Sequence, residues 1–379
     1  MDTYKDDPCT EFAVRDLIKD GSLDEQTMRM LTQMHKAITI IQFKEEARIL
    51  DRRPEFGMEG RKLLEHINLE EGTVEIEGKV YALKDTNFPT LIPDSPNKLT
   101  KEEEKLMTKI EHSFRASEKL RRHIDCLLSR GGMYKVSNSN LMFHGSVPLD
   151  ADGQLKEVEI EGKLYKGQEL MQKIDRIVRN AFNTELSAEK RRFSTDYMWY
   201  LWCGPDSPLF DKDKMATFER YFIADPKTHK EKKGYYYQYN NDEATIDMIL
   251  DSFDVEGTHR HIINGHVPVK TTKGETPIKA NGKLLVIDGG FSKAYQPETG
   301  IAGYTLIFHS RGLELMQHQP FRSAEEAIKK GDDIKSAVQI VEMSEHRMYV
   351  KDTDKGKVIQ SKVENLKKLL YAYRNGLLK

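Results

Sequence analysis

Apolar residues recur at helical spacing over residues 22–50, at Met28, Leu31, Met34, Ile38 and Ile41, and Pro54 follows to stop the run, which predicts a helix. Residues 73–83 alternate instead, with Val74, Ile76, Val80 and Tyr81 flanking Glu77-Gly78 as in a β-hairpin. The octet Val74-Glu-Ile-Glu-Gly-Lys-Val-Tyr81 returns almost unchanged as Val158-Glu-Ile-Glu-Gly-Lys-Leu-Tyr165. The likeness stops at the flanks, so a shared hairpin solution explains it better than a duplication. Thr100-Lys-Glu-Glu103 has capping-box spacing and predicts the start of a long helix. Its expected buried stripe is Leu106, Ile110, Phe114, Leu120, Ile124 and Leu127, and Gly131-Gly132 is expected to end it in the left-handed conformation.

From there the pattern changes. Short apolar runs ending in Gly, His or Asp occupy residues 140–144, 261–266 and 283–288, as buried strands delivering polar residues at their tips would. Beyond Phe321 the spacing predicts a short helix over 324–330, a strand pair over 337–343 and 347–352, and a final helix over 363–373, all in packing roles.

A chain of 379 residues can bury a sizeable core. Its 59 basic and 61 acidic residues nearly cancel, so no global field attracts nucleic acid or an anionic membrane, and neither partner is expected. The most apolar stretches, such as Leu284-Leu285-Val286-Ile287, fall far short of the roughly 20 residues that span a bilayer. Met1-Asp2-Thr3-Tyr4-Lys5-Asp6-Asp7-Pro8 lacks the pattern of a secretory signal. Cys9, Cys126 and Cys203 are odd in number and widely spaced, which argues for a reducing compartment. The expected location is the cytoplasm.

The strand tips are where chemistry is expected. His144 follows Leu141-Met142-Phe143 and precedes Gly145-Ser146, and His266 ends His261-Ile262-Ile263-Asn264-Gly265 before Val267-Pro268. Neutral imidazole is a common ligand for Mn²⁺, Fe and Zn²⁺, and such a metal polarises a phosphoryl oxygen. Taken singly, either histidine is more simply a structural residue. Taken with their surroundings, the two read as ligands.

Those surroundings resemble the second half of the phosphoprotein-phosphatase branch of the calcineurin-like metallophosphoesterases. Phe143-His144-Gly145-Ser146 resembles that branch's strand-end metal histidine, Leu201-Trp202-Cys203-Gly204-Pro205 its tryptophan-containing loop, and Asn264-Gly265-His266 its last metal histidine. Ile287-Asp288-Gly289-Gly290-Phe291 is similar to the strand that follows, and Pro268 disfavours the relatives with a Gly-His-x-His block. At longer range the text is more specific. Tyr200-Leu-Trp-Cys-Gly-Pro205, Lys214-Met-Ala-Thr-Phe-Glu-Arg-Tyr-Phe-Ile-Ala-Asp225, His261-Ile-Ile-Asn-Gly-His-Val-Pro-Val-Lys270 and residues 279–303 resemble class 3 fructose-1,6-bisphosphatases, nearly end to end. The resemblance implies hydrolysis of the 1-phosphate of fructose 1,6-bisphosphate in gluconeogenesis, with Mn²⁺ as the metal and two ions in the complete enzyme.

The resemblance also implies an Asp-x-His, a Gly-Asp-x-x-Asp-Arg and a Gly-Asn-His-Asp motif in the first half of the family's chain. None occurs here; the nearest string, Gly331-Asp332-Asp333, lacks the arginine and lies downstream of His266, so it reads as a solvated turn. The expectation is therefore a fragment in which His144 and His266 serve one metal. The bridging ligands, the phosphate-clamping arginine and the proton donor would lie in the absent N-terminal half. A complementing half or a homo-oligomer is the expected partner.

Two substrate phosphates call for further cations. Arg220, within Phe218-Glu-Arg-Tyr-Phe222, is either a rigid fork for phosphate or a structural residue; Lys270 is either a phosphate contact or an exposed lysine, and Lys279 and Lys283 are weaker candidates. Asp288 is read as capping the turn at Gly289-Gly290 rather than supporting a ligating histidine. Tyr235 to Tyr237 and Tyr239, after Lys230-Glu-Lys-Lys233, form either a basic aromatic surface or, more commonly, a solvated loop.

The expected fold class is α/β, the second half of a metallophosphoesterase-type β-sandwich flanked by helices. The division runs from a mainly helical region with a hairpin (1–135) through that half-domain (136–320) to a small α/β extension (321–379). Rival functions are a phosphoprotein phosphatase, which shares the strand-tip logic, and a non-catalytic remnant that binds or regulates a partner.

Overall fold

The computed structural model describes residues 2–13, 23–288, 290, 292, 295–320, 323–331 and 336–378. Ser22, Gly289, Phe291, Phe321 and the Asp332-Asp333 turn of the sequence reading lie outside the described residues. Contacts divide the chain into two compact units, each discontinuous in sequence. One comprises Met1–Gly131, Ile177–Ser207 and Lys212–Lys233; the other comprises Gly132–Arg176, Pro208–Asp211 and Gly234–Lys379. This division differs from three consecutive segments because residues 177–207 and 212–233 cluster with the N-terminal helical region. The architecture is mixed α/β with several sheets.

In the first unit, Asp24 caps α1 (Glu25–Arg52) by accepting from the Thr27 amide at 2.9 Å. The helix ends just before Pro54, as the pattern predicts. Its buried face, however, is not the one marked by Met34 and Ile38, which are exposed. Ile40, Ile41, Phe43, Ala47 and Leu50 turn inward together with Lys36 and Lys44, whose ammonium groups meet buried carboxylates. Ionic partners distant in sequence shift the buried stripe away from the purely apolar one.

The hairpin forms where expected, as β2 (Thr73–Ile76) and β3 (Lys79–Ala82), with β1 (Ile67–Asn68) added antiparallel to β2. Glu77 and Gly78 both have positive φ, 52° and 73°, the backbone of the two-residue turn that matches strand twist. The capping box at Thr100 also forms and opens α2 (Lys101–Ala116). The single long helix does not. Ser117 leaves helical geometry and accepts from the Leu120 amide, so α3 (Glu118–Arg130) starts afresh. Gly131 ends it extended, at φ −84°, rather than left-handed. Leu106, Phe114 and Leu127 of the expected buried stripe are exposed. Leu201-Trp202-Cys203, expected in a loop, is the last turn of the helix Ala188–Cys203, and the loop begins at Gly204.

The second unit is built on a five-stranded sheet, ordered β4 (Tyr134–Ser137), β5 (Asn140–Phe143), β8 (His261–Asn264), β10 (Leu284–Val286), β9 (Ile278–Lys279). The three central strands are parallel, and β4 and β9 close the edges antiparallel. All three expected strand runs are thus neighbours in one sheet. The repeated octet forms a second hairpin, β6 (Val158–Ile160) and β7 (Lys163–Tyr165), again with positive φ at Glu161 and Gly162. An antiparallel sheet of β11 (Gly303–His309), β12 (Gly312–His318) and β13 (Ser336–Met343) follows. Leu141, Ile262, Leu284, Val286, Tyr304 and Leu315 from the two sheets share one core with Ile246, Ile249 and Leu250 of the helix Glu243–Ser252.

The C-terminal segment departs from expectation. The helix Ala324–Lys330 and β13 are present, but β13 pairs with β12, and residues 347–352 hold a 3-10 turn at Val350–Asp352 instead of a strand. The final helix, Asp354–Arg374, has only Gly356 buried, so it does not pack as expected. It is fastened at its start, where Asn138 and Asp354 exchange hydrogen bonds between backbone amides and side-chain oxygens at 2.6 and 3.0 Å. Among the described residues no helix is long and apolar enough to cross a membrane.

Candidate metal centre

The parallel register puts Asn140 opposite His261 and Met142 opposite Ile263. One step further, the Gly265 amide donates to the His144 carbonyl at 2.9 Å, so the ladder continues to the tips and delivers both imidazoles to one place. His144 Nε2 and His266 Nδ1 lie 3.2 Å apart, with ring centroids 5.0 Å apart and the planes at 69°. His266 has φ 69°, an uncommon conformation for a residue with a side chain, and such backbones concentrate at functional sites.

Glycine is required at the neighbouring turn for a specific reason. A Cβ on Gly145 would stand 2.5 Å from the Pro208 carbonyl, which accepts from the Ser146 amide at 2.9 Å. On the far side, Asn264 donates from Nδ2 to the Gly145 carbonyl and to the Tyr236 hydroxyl, each at 2.9 Å. In the sequence Asn264 has no role of its own, and Tyr236 enters only as one of the tyrosine string. Tyr236 stands in a polar, tyrosine-rich string yet is fully buried, which excludes it from the aromatic surface considered for that string. Asp288 accepts from the Gly290 amide at 3.0 Å, in keeping with the turn-capping reading.

The imidazole pair fits one shared ion. Two metal–nitrogen bonds of about 2.1 Å that subtend about 100° span about 3.2 Å, and the observed separation is 3.2 Å. The set is small. Among the described residues no group of three or more His, Cys, Asp or Glu is placed to hold a metal. A hard divalent ion takes several oxygen donors, so these two nitrogens alone would not complete its coordination.

The basic candidates all have carboxylate or amide partners. Arg220, on the short helix Thr217–Phe222 between buried Phe218 and Phe222, pairs with Glu231 at 3.0 Å. Burial works against the charged form of Glu231, but hydrogen bonds from Lys212 and the Ala216 amide outweigh it and keep its acid below the usual range. Lys270 pairs with Glu298 at 2.9 Å, and that contact raises the lysine's pKa. Lys283 pairs with Asp247 at 2.5 Å. Lys279 donates to Asn240 at 3.3 Å, and burial lowers its pKa. Arg220 belongs to the first unit, and the two histidines, Lys270, Lys279 and Lys283 to the second.

A mixed α/β fold that brings two imidazoles together at the tips of adjacent parallel strands is the class the structure defines. The chain belongs to the firmicute fructose-1,6-bisphosphatase family, whose sequence model matches residues 1–375. Among curated proteins it is 62% identical over 379 residues to a class 3 fructose-1,6-bisphosphatase of Bacteroides fragilis, all of this chain and 57% of the relative. The class 3 fructose-1,6-bisphosphatase of Bacteroides thetaiotaomicron is 60% identical over all of this chain and 57% of its own length. That of Clostridium botulinum is 53% identical over all of this chain and 56% of its own. The chain thus spans little more than half the length of the curated relatives it matches. No solved structure matches it.

Proposed function

We propose that this chain carries part of a metal-dependent fructose-1,6-bisphosphatase, a phosphoric monoester hydrolase acting on the 1-phosphate of fructose 1,6-bisphosphate in gluconeogenesis. The observation that carries this reading is the His144–His266 pair, seated at strand tips in a chain of that family. In this reading residues 136–320 correspond to the second half of a metallophosphoesterase domain. The remaining ligands come from a segment bearing the three motifs absent from these 379 residues, such as a complementing polypeptide. Cysteines without disulfides suit a cytoplasmic enzyme.

The chain's own residues have defined tasks. His144 and His266 hold one Mn²⁺ through ring nitrogens, which requires both to be neutral at those atoms. When bound, the metals polarise the phosphoryl group and lower the pKa of water. Arg220 and Lys270 are the phosphate contacts in this reading, and a phosphate dianion must displace Glu231 and Glu298 from them. The family match favours a sugar bisphosphate over a phosphoprotein as substrate.

Phosphate release from fructose 1,6-bisphosphate with Mn²⁺ tests the reading. The purified chain is assayed with and without a polypeptide carrying the three motifs. Turnover is expected only in the combination, and His144→Ala or His266→Ala should abolish it. Robust turnover by the chain alone would sink the ligand assignment, and a preference for phosphopeptides would sink the substrate.

A further inference from the structure

Among the described residues, three hydrogen bonds hold the turn that presents His144. The Gly265 amide donates to the His144 carbonyl at 2.9 Å, the Ser146 amide to the Pro208 carbonyl at 2.9 Å, and Asn264 Nδ2 to the Gly145 carbonyl at 2.9 Å. Two of these are backbone to backbone. The third is the only one that depends on a side chain, and that side chain lies two residues before His266. We propose that Asn264 is a positioning residue whose carboxamide, oriented by Tyr236, sets the spacing of the His144 and His266 imidazoles. The proposal rests on the metal-ligand reading of that pair and extends it to two residues that act through the turn rather than as ligands.

The chemistry of the contacts leaves the carboxamide one orientation. A backbone carbonyl can only accept, so the group facing Gly145 must be the NH₂ end. Its second proton goes to the Tyr236 oxygen at 2.9 Å. Tyr236 is fully buried, and burial holds its phenol well above the usual range, so a neutral hydroxyl stands there. The flipped amide would set its oxygen against the Gly145 carbonyl. In the observed orientation Asn264 Oδ1 is buried with no hydrogen-bond partner among the described residues. Burying that oxygen unpaired is unfavourable, and an apolar residue of the same volume would avoid it. Asparagine at this place is explained by its two donated bonds. The Pro208 carbonyl also stands close to Gly145 and accepts from Ser146, so the turn has two holds, one backbone and one from Asn264. Loss of the Asn264 donor frees one of them, and the His144 ring moves relative to His266.

The test uses the full chain and two readouts. One is the nuclear Overhauser effect between the two imidazoles in histidine-labelled, metal-free protein. The other is Co²⁺ affinity followed by its visible absorption. Asn264→Leu keeps the volume without a donor, and Asn264→Asp keeps the shape but turns an acceptor toward the Gly145 carbonyl. Both should lose the inter-ring effect, and Co²⁺ affinity should fall by about tenfold or more. Tyr236→Phe should give an intermediate loss. An inter-ring effect retained at wild-type strength in Asn264→Leu and Asn264→Asp overturns the proposal, as does its absence from the wild type. If neither Asn264 variant folds, Tyr236→Phe decides, and unchanged values in it overturn the proposal. The metal reading fails separately, when wild-type Co²⁺ binding is unaffected by His144→Ala; the inter-ring effect then decides the role of Asn264 alone.

Discussion

Lys44 Nζ, with no side-chain exposure, donates to Glu103 Oε2 at 2.8 Å, and Glu103 is the third residue of α2. The same oxygen accepts from the Thr100 amide at 2.7 Å. One carboxylate therefore closes the capping box of one helix and neutralises a lysine buried on another. Glu103→Gln should keep the cap but lose the charge, and Glu103→Ala should lose both. Breaking a buried pair from one side costs about 3–5 kcal/mol, and the alanine variant is expected near the upper end. Urea unfolding of the two variants measures the difference. Equal losses would mean that the cap contributes nothing.

Lys36 stands between Asp7 and Asp85, 2.6 Å from each, with no exposure of its own side chain. Burial favours the neutral acid of Asp7, but Lys36 and the Cys9 amide outweigh it and hold the carboxyl below its usual range. The native state then binds fewer protons than the unfolded chain near the ordinary carboxylate value of about 3.9. Stability from this group is fully present above that value and is lost as pH falls through the lower native one. Asp7→Asn should destabilise the protein at pH 7 and flatten its acid-unfolding curve. An acid curve identical in slope to the wild type would rule out the linkage.

Gly145→Ala places a Cβ 2.5 Å from the Pro208 carbonyl, an atom of the backbone that cannot rotate away. Overpacking of this kind costs about 1–3 kcal/mol, and the His144 turn must shift, so Co²⁺ binding should weaken with stability. Gly60→Ala, whose Cβ would meet nothing within 4 Å, is the control and should be nearly neutral. Thermal unfolding and metal titration of the pair provide the check.

Ile359, Val363, Leu366, Leu370 and Tyr373 line one side of the helix Asp354–Arg374 at alternating four- and three-residue spacing, and all are exposed. Leu366→Lys with Leu370→Lys should change stability by no more than about 0.5 kcal/mol per site. It should also reduce concentration-dependent association in sedimentation. A large fall in the unfolding midpoint would show that this face is covered in solution.

Local features were legible in the sequence because their causes are local. The Glu-Gly turns of both hairpins, the Thr100–Glu103 box and the helix stop before Pro54 depend on residues within a few positions of one another. The strands that end at His144 and His266 were marked by unbroken apolar runs, the mark of burial on both faces. Only the tertiary structure decided which faces those elements bury. The apolar spacing of α1 pointed to Met34 and Ile38, but carboxylates at residues 7, 85 and 103 turn the lysine-bearing face inward. The stripe of α2 and α3 and the final helix were apolar enough to predict burial, yet Leu106, Phe114 and Leu127 and the apolar side of the final helix are exposed. The two histidines could be named from the chain, whereas their 3.2 Å spacing and the Asn264–Tyr236 clamp behind it could not. Those depend on the register of strands more than a hundred residues apart in sequence, and register is set by packing the whole sheet, not by any one strand.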